Sequence, residues 1–306
     1  MSHRIGIIGT GWVGSSVAIS VLHSGLASEL LLHDLKGDVA EGEAMDLAQG
    51  GSFYPTATVR TATIEAMKDT DAIVITAGRS GTPEQTRLDL LKVNAGIVSG
   101  FGQQLAGYRG AIVVVTNPVD VLTLVFQESS GLPPERVLGT GTMLDTARLK
   151  QVLGAELNID SHSVHGMVLG EHGDSEVVHW SGVRIGGRPI AHWPGWTTEK
   201  QSRIAETVRR AAYEIIKRKG CTNHAIGLVT ADLLKCLLRN ERRVLTVSRV
   251  QVAPSPYAGV ALSLPSIVGS GGAVEVIEPE MNEEERKALH HSADVLRAAR
   301  LALNPH

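Results

Sequence analysis

Only two of the 306 residues are cysteine, Cys221 and Cys236, and they do not form a CxxC pair. That scarcity speaks against a disulfide framework or a cysteine zinc site and points to a reducing compartment. An excess of charge of one sign is lacking too: 29 Lys and Arg stand against 32 Asp and Glu, a formal net charge of −3. So balanced a chain offers no broad basic field for nucleic acid. Its short basic clusters, Arg209-Arg210, Lys217-Arg218-Lys219 and Arg242-Arg243, are of the kind that ordinarily mark solvated helix faces or ends. No apolar run approaches the ~20 residues of a membrane span, and the N-terminus has no charged-apolar-small leader layout. Internal repeats, low-complexity tracts and disordered linkers are missing as well. These absences lead to the expectation of a soluble, cytoplasmic protein with neither membrane nor nucleic-acid partners.

The chain exceeds the length at which single cores usually split, so two domains are expected, residues 1–140 and 141–306. In the first, short apolar runs at Ile5–Ile8, Leu30–Leu32, Thr58–Thr61, Ala72–Thr76, Ile112–Thr116 and Val137–Leu138 read as strands. The central ones are continuous and β-branched, as parallel strands buried on both faces require. Val13, Val17, Ala18, Val21 and Leu22 recur at helical spacing, and Gly25 closes that helix. This βαβ rhythm predicts an α/β fold, a doubly wound parallel sheet of the Rossmann type. After residue 141 the pattern becomes α+β. A helix is expected around Leu144–Leu153, strands near Val164–Leu169 and Val177–Trp180, and a hairpin turning at Gly186-Gly187. A long amphipathic helix should bury Ile204, Val208, Ala211, Ile215 and Ile216, and a second should cover Ala225–Leu238. Arg243–Ile277 reads as an antiparallel meander, and Asn282 with Glu285 as a capping box that opens a final helix to about Leu301.

Gly9-Thr10-Gly11-Trp12-Val13-Gly14 follows a strand and opens a helix. Glycines there allow a tight turn and let the backbone approach a pyrophosphate at the helix N-terminus. Asp34 ends the next strand, where a carboxylate accepts bonds from a ribose 2′-hydroxyl and repels a 2′-phosphate, so NAD is favoured over NADP. The alternative for Asp34 is a cap on the following loop. Ala77-Gly78 and Thr116-Asn117-Pro118 end two further strands at the edge where the crevice should open, although Asn-Pro also suits a plain strand-ending turn. In the second half, Val168-Leu169-Gly170-Glu171-His172-Gly173-Asp174-Ser175 runs an apolar strand into a histidine flanked by glycine and acids, a setting for an imidazole that gains and loses a proton. Asp145 and Arg148 lie one helical turn apart, and by themselves would read as a surface ion pair. Arg87 lies in a polar loop, where a solvated side chain is the ordinary outcome.

From end to end the chain resembles the L-lactate/malate dehydrogenase family. The resemblance is carried in order by GTGWVG, AEGEAMDLAQG (Ala40–Gly50), TRLDLLKVNAGI (Thr86–Ile97), VTNPVD, GTGTMLDTARLK, GEHGDSE, KGCTNHAIG and SLPSIVGSGG. It implies a reversible hydride transfer between NADH and a small 2-oxo acid. His172 would be the proton donor and acceptor, Asp145 its orienting carboxylate, and Arg148 the grip on the substrate carboxylate. Arg87 would swing in on a mobile lid to polarise the carbonyl. Asn117 would reach cofactor and substrate together, and Thr222 would wall the pocket. Cofactor contacts would extend to Asn94, Val115 and Ile226, the last of which equally suits ordinary core.

The lid position that discriminates substrates in the family, glutamine for lactate and arginine for malate, falls on Gly81 here. Without arginine, the second carboxylate of oxaloacetate would be left unpaired in a closed site; without glutamine, room appears for a larger uncharged side chain. A lactate-type enzyme that tolerates bulkier 2-oxo monocarboxylates is therefore expected. A malate dehydrogenase in which Arg79 reaches in is the alternative. Glu171 and the stretch Val178-His179-Trp180-Ser181 also resemble the lactate branch, which implies a homo-oligomer, a tetramer ahead of a dimer. His224, where an aromatic is usual, either lines the pocket or sits inert. Lys150 and His165 fall where bacterial lactate dehydrogenases bind fructose 1,6-bisphosphate, with lysine weakening a bidentate grip. His162, His165 and His172 invite a metal reading, but on a strand His162 and His172 share a face that His165 does not, so no metal is expected. Two readings of other kinds are a non-catalytic NAD-binding protein and an NAD-using glycosidase, the latter calling for metal ligands the chain lacks.

Overall fold

The computed structural model describes residues 3–80 and 86–303, with the side chain of Arg87 outside that description. The first half delivers the expected alternation. β1 (His3–Ile8) leads through α1 (Trp12–His23) to β2 (Ala27–His33), then α2 (Gly37–Gln49), β3 (Thr58–Thr61) and the short α3 (Ile64–Met67). β4 (Ala72–Ile75), α4 (Arg87–Gln104), β5 (Ala111–Val114), α5 (Val119–Ser130) and β6 (Val137–Gly139) complete it. Hydrogen bonding orders these strands β3-β2-β1-β4-β5-β6, all parallel. The order reverses direction between β1 and β4, and it is at such a switch point that a crevice opens beyond the strand ends.

Period-two alternation explains why both faces of the sheet are buried. Ile5, Ile7, Leu30, Leu32, Val74 and Val113 join one core cluster, which α1 and the later helix α8 (His224–Leu238) cover. Their neighbours Ile8, Leu31, Ile73, Ile75, Ile112 and Val114 join the other, beneath α4, α5 and the C-terminal helix α9 (Glu283–Leu303). Every one of these twelve is at most 1% exposed, which suits strands sandwiched between helical layers.

The second half begins with α6 (Met143–Leu157) and the short strands β7 (Val164–His165), β8 (Val168–Leu169) and β9 (Val177–Val178). The single strand expected over Val164–Leu169 is thus two. β7 pairs with β10 (Arg184–Ile185) and β8 with β9, so a break at Gly166-Met167 lets one segment serve two sheets. His162 lies ahead of both in a 3-10 turn, so the strand geometry posed for the three histidines does not arise. β9 stops at Val178, short of Trp180, which opens another 3-10 turn. β10 and β11 (Arg188–Pro189) form the expected hairpin, with Gly186 and Gly187 at φ of 55° and 81°.

α7 (Thr198–Lys219) buries Ile204 and Val208 against Leu149, Leu153, Val164 and Ile185. Its expected stripe ends there. Ile215 and Ile216 are 38% and 47% exposed, because the helix runs past the end of that core. α8 (His224–Leu238) follows, then β12 (Arg243–Val250), β13 (Ala261–Gly269) and β14 (Gly272–Val276). This meander is not a separate layer: β12 pairs antiparallel with β6, extending the parallel sheet to nine strands among the described residues. α9 (Glu283–Leu303) closes the chain, and Asn282 and Glu285 exchange the reciprocal bonds of a capping box at 2.9 and 3.1 Å.

Candidate active site

At the nucleotide edge, sterics dictate the glycines. Gly9 has φ of +100°, and a Cβ there would lie 2.5 Å from Ala77 N; a Cβ on Gly14 would overlap Gly9 O. Gly9 lets the turn after β1 lie against the chain leaving β4, and Gly14 lets α1 lie against that turn. Gly11 differs, since a Cβ built on it meets nothing within 4 Å. The open space lies over the residue that leads into α1, where backbone N–H groups and the helix dipole favour a phosphate. Asp34 accepts from Thr10 N at 2.8 Å and from Lys36 N at 3.0 Å. It therefore caps its own loop, the alternative posed for it, and stands beside the glycine turn with carboxylate lone pairs to spare. Gly78 packs so tightly on Thr116 that a Cβ would come within 2.5 Å of its methyl group. These features fit a dinucleotide.

Asn94 is 2% exposed, and its amide is occupied by backbone: it accepts from Arg79 N at 2.8 Å and donates to Asn117 O at 3.1 Å. It ties together the chain leaving β4 and the chain leaving β5. Val115 is buried in the core cluster beneath α1, Ile226 packs partly buried against the same cluster, and Trp12 and Asn117 are exposed. Thr222 is half-buried at the entry to α8, and His224 is exposed. Gly81 and the Arg87 side chain lie outside the described residues, as does most of the expected lid; the backbone of Arg87 opens α4, capped by Thr86.

The imidazole loop is fixed from three sides. Gly170 exchanges two 2.9 Å backbone bonds with Ser263 of β13, Glu171 N donates to Ser292 Oγ of α9 at 2.7 Å, and His172 N donates to Asp120 Oδ2 of α5 at 2.7 Å. Because α5 begins directly after Asn117-Pro118, the last bond holds His172 at the carboxyl edge of the sheet. The His172 side chain is 22% exposed, and its Nδ1 meets Asp145 Oδ2 at 2.5 Å. Asp145 takes Arg148 Nη1 on its other oxygen at 2.7 Å. With side chains 2% and 13% exposed, Asp145 and Arg148 form a buried pair, not the surface pair that their spacing alone allowed. Among the described residues His172 Nε2 has no partner, and neither does the remaining edge of the Arg148 guanidinium.

Electrostatics poise this group for proton transfer. Burial alone would lower the His172 pKa, but the charge and hydrogen bond of Asp145, helped by Asp120, outweigh it and raise the imidazole to about 9. Burial would likewise raise Asp145, yet His172 and Arg148 hold its carboxyl below the usual range. Two acids that the sequence did not single out belong to the same surroundings. Asp120 is fully enclosed and pushed up to about 6 by burial, against the lowering effect of the neighbouring Ser248 hydroxyl and the bond from the His172 backbone N–H. Glu176 is pushed up to about 8 by burial and the Asp145 charge. Neither follows a periodic pattern, and only contacts between elements distant in sequence reveal them.

Lys150 and His165 come together with His162, Asp232 and Arg243 around a separate cavity of about 890 Å³ between α6, α8 and β12, which His172 does not line. No group of three His, Cys, Asp or Glu among the described residues is arranged to hold a metal ion, and no helix among them is long and apolar enough to cross a membrane.

Comparison with known proteins covers both halves. A family model for the lactate/malate dehydrogenase NAD-binding domain matches residues 3–139, and one for the lactate/malate dehydrogenase α/β C-terminal domain matches residues 142–301. L-lactate dehydrogenase 2 of Lactococcus lactis subsp. lactis is 41% identical over 303 residues, 97% of this chain and 96% of the relative. L-lactate dehydrogenase 2 of Enterococcus faecalis is 40% identical over 310 residues, 99% of this chain and 98% of the relative. Among solved structures, the minor L-lactate dehydrogenase of Enterococcus mundtii in a ligand-bound form superposes with a TM-score of 0.95 at 38% identity, covering 100% of this chain and 99% of that one.

Proposed function

The chain belongs to the lactate/malate dehydrogenase family, and from that premise we propose that it is an NAD-dependent L-lactate dehydrogenase acting on a 2-oxo monocarboxylate. The observation that carries this reading is the buried chain His172–Asp145–Arg148, linked at 2.5 and 2.7 Å. NAD, when bound, supplies the hydride acceptor or donor. Gly11 and the N-terminus of α1 would hold its pyrophosphate and Asp34 its ribose, with Gly9, Trp12, Val13, Gly14, Ala77, Gly78, Asn94, Val115, Asn117 and Ile226 shaping the crevice.

The chain's own side chains divide the remaining work. Arg148 and Arg87 clamp the substrate, the former by its carboxylate. His172, charged at neutral pH because Asp145 stabilises the imidazolium, delivers a proton from Nε2 to the keto oxygen and recovers it in the reverse direction. Fixing Nδ1 to Asp145 sets which nitrogen carries the mobile proton. Asn117 and Thr222 border the substrate. A non-catalytic NAD-binding protein has no use for a buried proton relay, and the relay favours an enzyme over it.

Gly81 supports a pocket with room beyond pyruvate and no partner for a second carboxylate. NADH consumption measured with pyruvate, 2-oxoisocaproate, phenylpyruvate and oxaloacetate tests both levels. Turnover of the monocarboxylates with oxaloacetate worst is the expected order, and Gly81→Arg should bring oxaloacetate up. Oxaloacetate best by a wide margin would overturn the specificity reading, and no turnover of any of the four would overturn the enzymatic one. The meeting of the two family matches near residue 140 supports a division into an NAD-binding part, 1–140, and a catalytic part, 141–306. Exposed Trp12, Ile19, Val39 and Met45 on α1 and α2 support a homo-oligomer, a tetramer by the lactate-like motifs, which sedimentation would measure. The free thiols Cys221 and Cys236 suit the cytoplasm. The cavity shared by Lys150 and His165 supports a phosphate-bearing effector there, and a flat activity response to fructose 1,6-bisphosphate at low substrate would dispose of it.

A further inference from the structure

Glu176 lies four residues beyond His172, in a turn closed by its own N–H donating to Gly173 O at 3.2 Å. The residue is 6% exposed, and its Oε1 is buried without a hydrogen-bond partner. The charged groups that face it are Asp145 and Arg148 from α6, His172 from the same loop and Arg209 from α7. None of the three cations is committed to it. Arg148 Nη1 and His172 Nδ1 are spent on Asp145, while Arg209 turns Nη1 to Glu206 at 2.8 Å and leaves its own Nε buried and unpartnered. A carboxyl is therefore enclosed beside an existing negative charge with no ion-pair partner among the described residues, and the neutral acid is the form such a place accepts.

We propose that Glu176 sets the alkaline limit of substrate binding: it serves as a neutral carboxylic acid, and its ionisation weakens the hold of the site on the anionic 2-oxo acid. This rests on the functional reading above. The substrate carboxylate is attracted by Arg148 and by protonated His172, both already shared with Asp145. An ionised Glu176 draws on the same two cations and sets a second negative charge against the incoming anion. Glu176 acts through them, as a positioning residue that does not itself touch the reacting atoms. Asp120, pushed up only to about 6, has lost its proton before Glu176, pushed up to about 8, begins to titrate.

Two measurements test this. In the intact wild-type protein without ligands, infrared spectroscopy at about pH 7 should show the carbonyl stretch of a protonated carboxyl, half lost at about pH 8, nearly gone by about pH 9 and absent from Glu176→Gln. In steady-state kinetics, the wild-type KM for pyruvate should climb at alkaline pH with a limiting log–log slope of about two, one proton each from Glu176 and His172. The slope should fall to about one in Glu176→Gln and return to about two in Glu176→Asp. The expected difference is close to tenfold in KM per pH unit beyond the Glu176 midpoint. A wild-type spectrum with no such carbonyl band at about pH 7 overturns the proposal, and so do superimposable wild-type and Glu176→Gln profiles. Should Glu176→Gln fail to fold, the wild-type infrared titration decides alone. A protein that shows the infrared step but reduces no 2-oxo acid would sink the functional reading, leaving the acid as described.

Discussion

The nucleotide edge of the sheet and the imidazole loop stand at the same rim but are held by different forces. At the nucleotide edge the determinants are steric: Gly9, Gly14 and Gly78 exist so that backbone can touch backbone or a neighbouring side chain. At the imidazole loop they are electrostatic and distant in sequence, with His172 bonded to Asp120 and Asp145, residues 52 and 27 positions away. A steric cradle tolerates any polar ligand that fits, whereas a buried ion chain is specific for the charge states of its members. The first suits binding, and the second suits a reaction in which charge changes.

Substitutions sharpen that contrast. The largest effect should follow His172→Asn, which removes the proton relay and should lower kcat by roughly 10³–10⁴-fold with NADH binding, followed by fluorescence, intact. Asp145→Asn should lower kcat by roughly 10²–10³-fold, and it should also move the ionisation seen in the kcat/KM profile from about 9 down towards the ordinary imidazole value, because the charge that raised it is gone. On the steric side, Gly14→Ala forces a methyl group onto the Gly9 carbonyl. It should cost about 1–3 kcal/mol of stability in denaturant titration and weaken NADH binding, while leaving the pH profile of the residual activity unshifted. If Gly14→Ala moved that profile, or if His172→Asn abolished NADH binding, the division between the two regions would fail. The smallest effect, about 1 kcal/mol, is expected from Asn282→Ala, which removes the cap of α9 far from either region.

Heat denaturation against pH checks the ion chain from another direction. His172 is raised from 6.5 to about 9 in the folded state, so its contribution is complete below the unfolded value and is lost as pH rises through the folded one. Asp145 is lowered from 3.8, so its contribution is present above that value and is lost as pH falls through the lower folded one. Tm should accordingly fall on the alkaline side between about pH 6.5 and about pH 9, and Asp145→Asn should flatten that limb.

The two regions also differ in how far they could be read in advance. The glycine turn, Asp34 and the six parallel strands follow from local rules, because a buried parallel strand is continuous and apolar and a tight turn needs glycine. The capping box at Asn282 and the hairpin at Gly186-Gly187 were legible for the same reason. By local rules the Asp145–Arg148 pair was visible only as a spacing, since i,i+3 charges look alike on a solvated helix and inside a core, and only the family resemblance joined it to His172. The break of Val164–Leu169 into β7 and β8, the joining of β12 to β6, and the exposure of Ile215 and Ile216 were not legible, because each depends on which distant element supplies the partner.

Sequence by itself determined the alternation of strands and helices, the dinucleotide turn and the order of the family motifs, because each is written in residues a few positions apart. Tertiary structure alone decided that Asp145 is buried between His172 and Arg148, that Asp120 anchors the imidazole loop, and that Glu176 is enclosed without a counter-ion among the described residues. Burial and charge pairing are properties of what surrounds a side chain, and for these acids the surroundings come from α5, α6, α7 and β13, brought together only when the sheet and its helices pack.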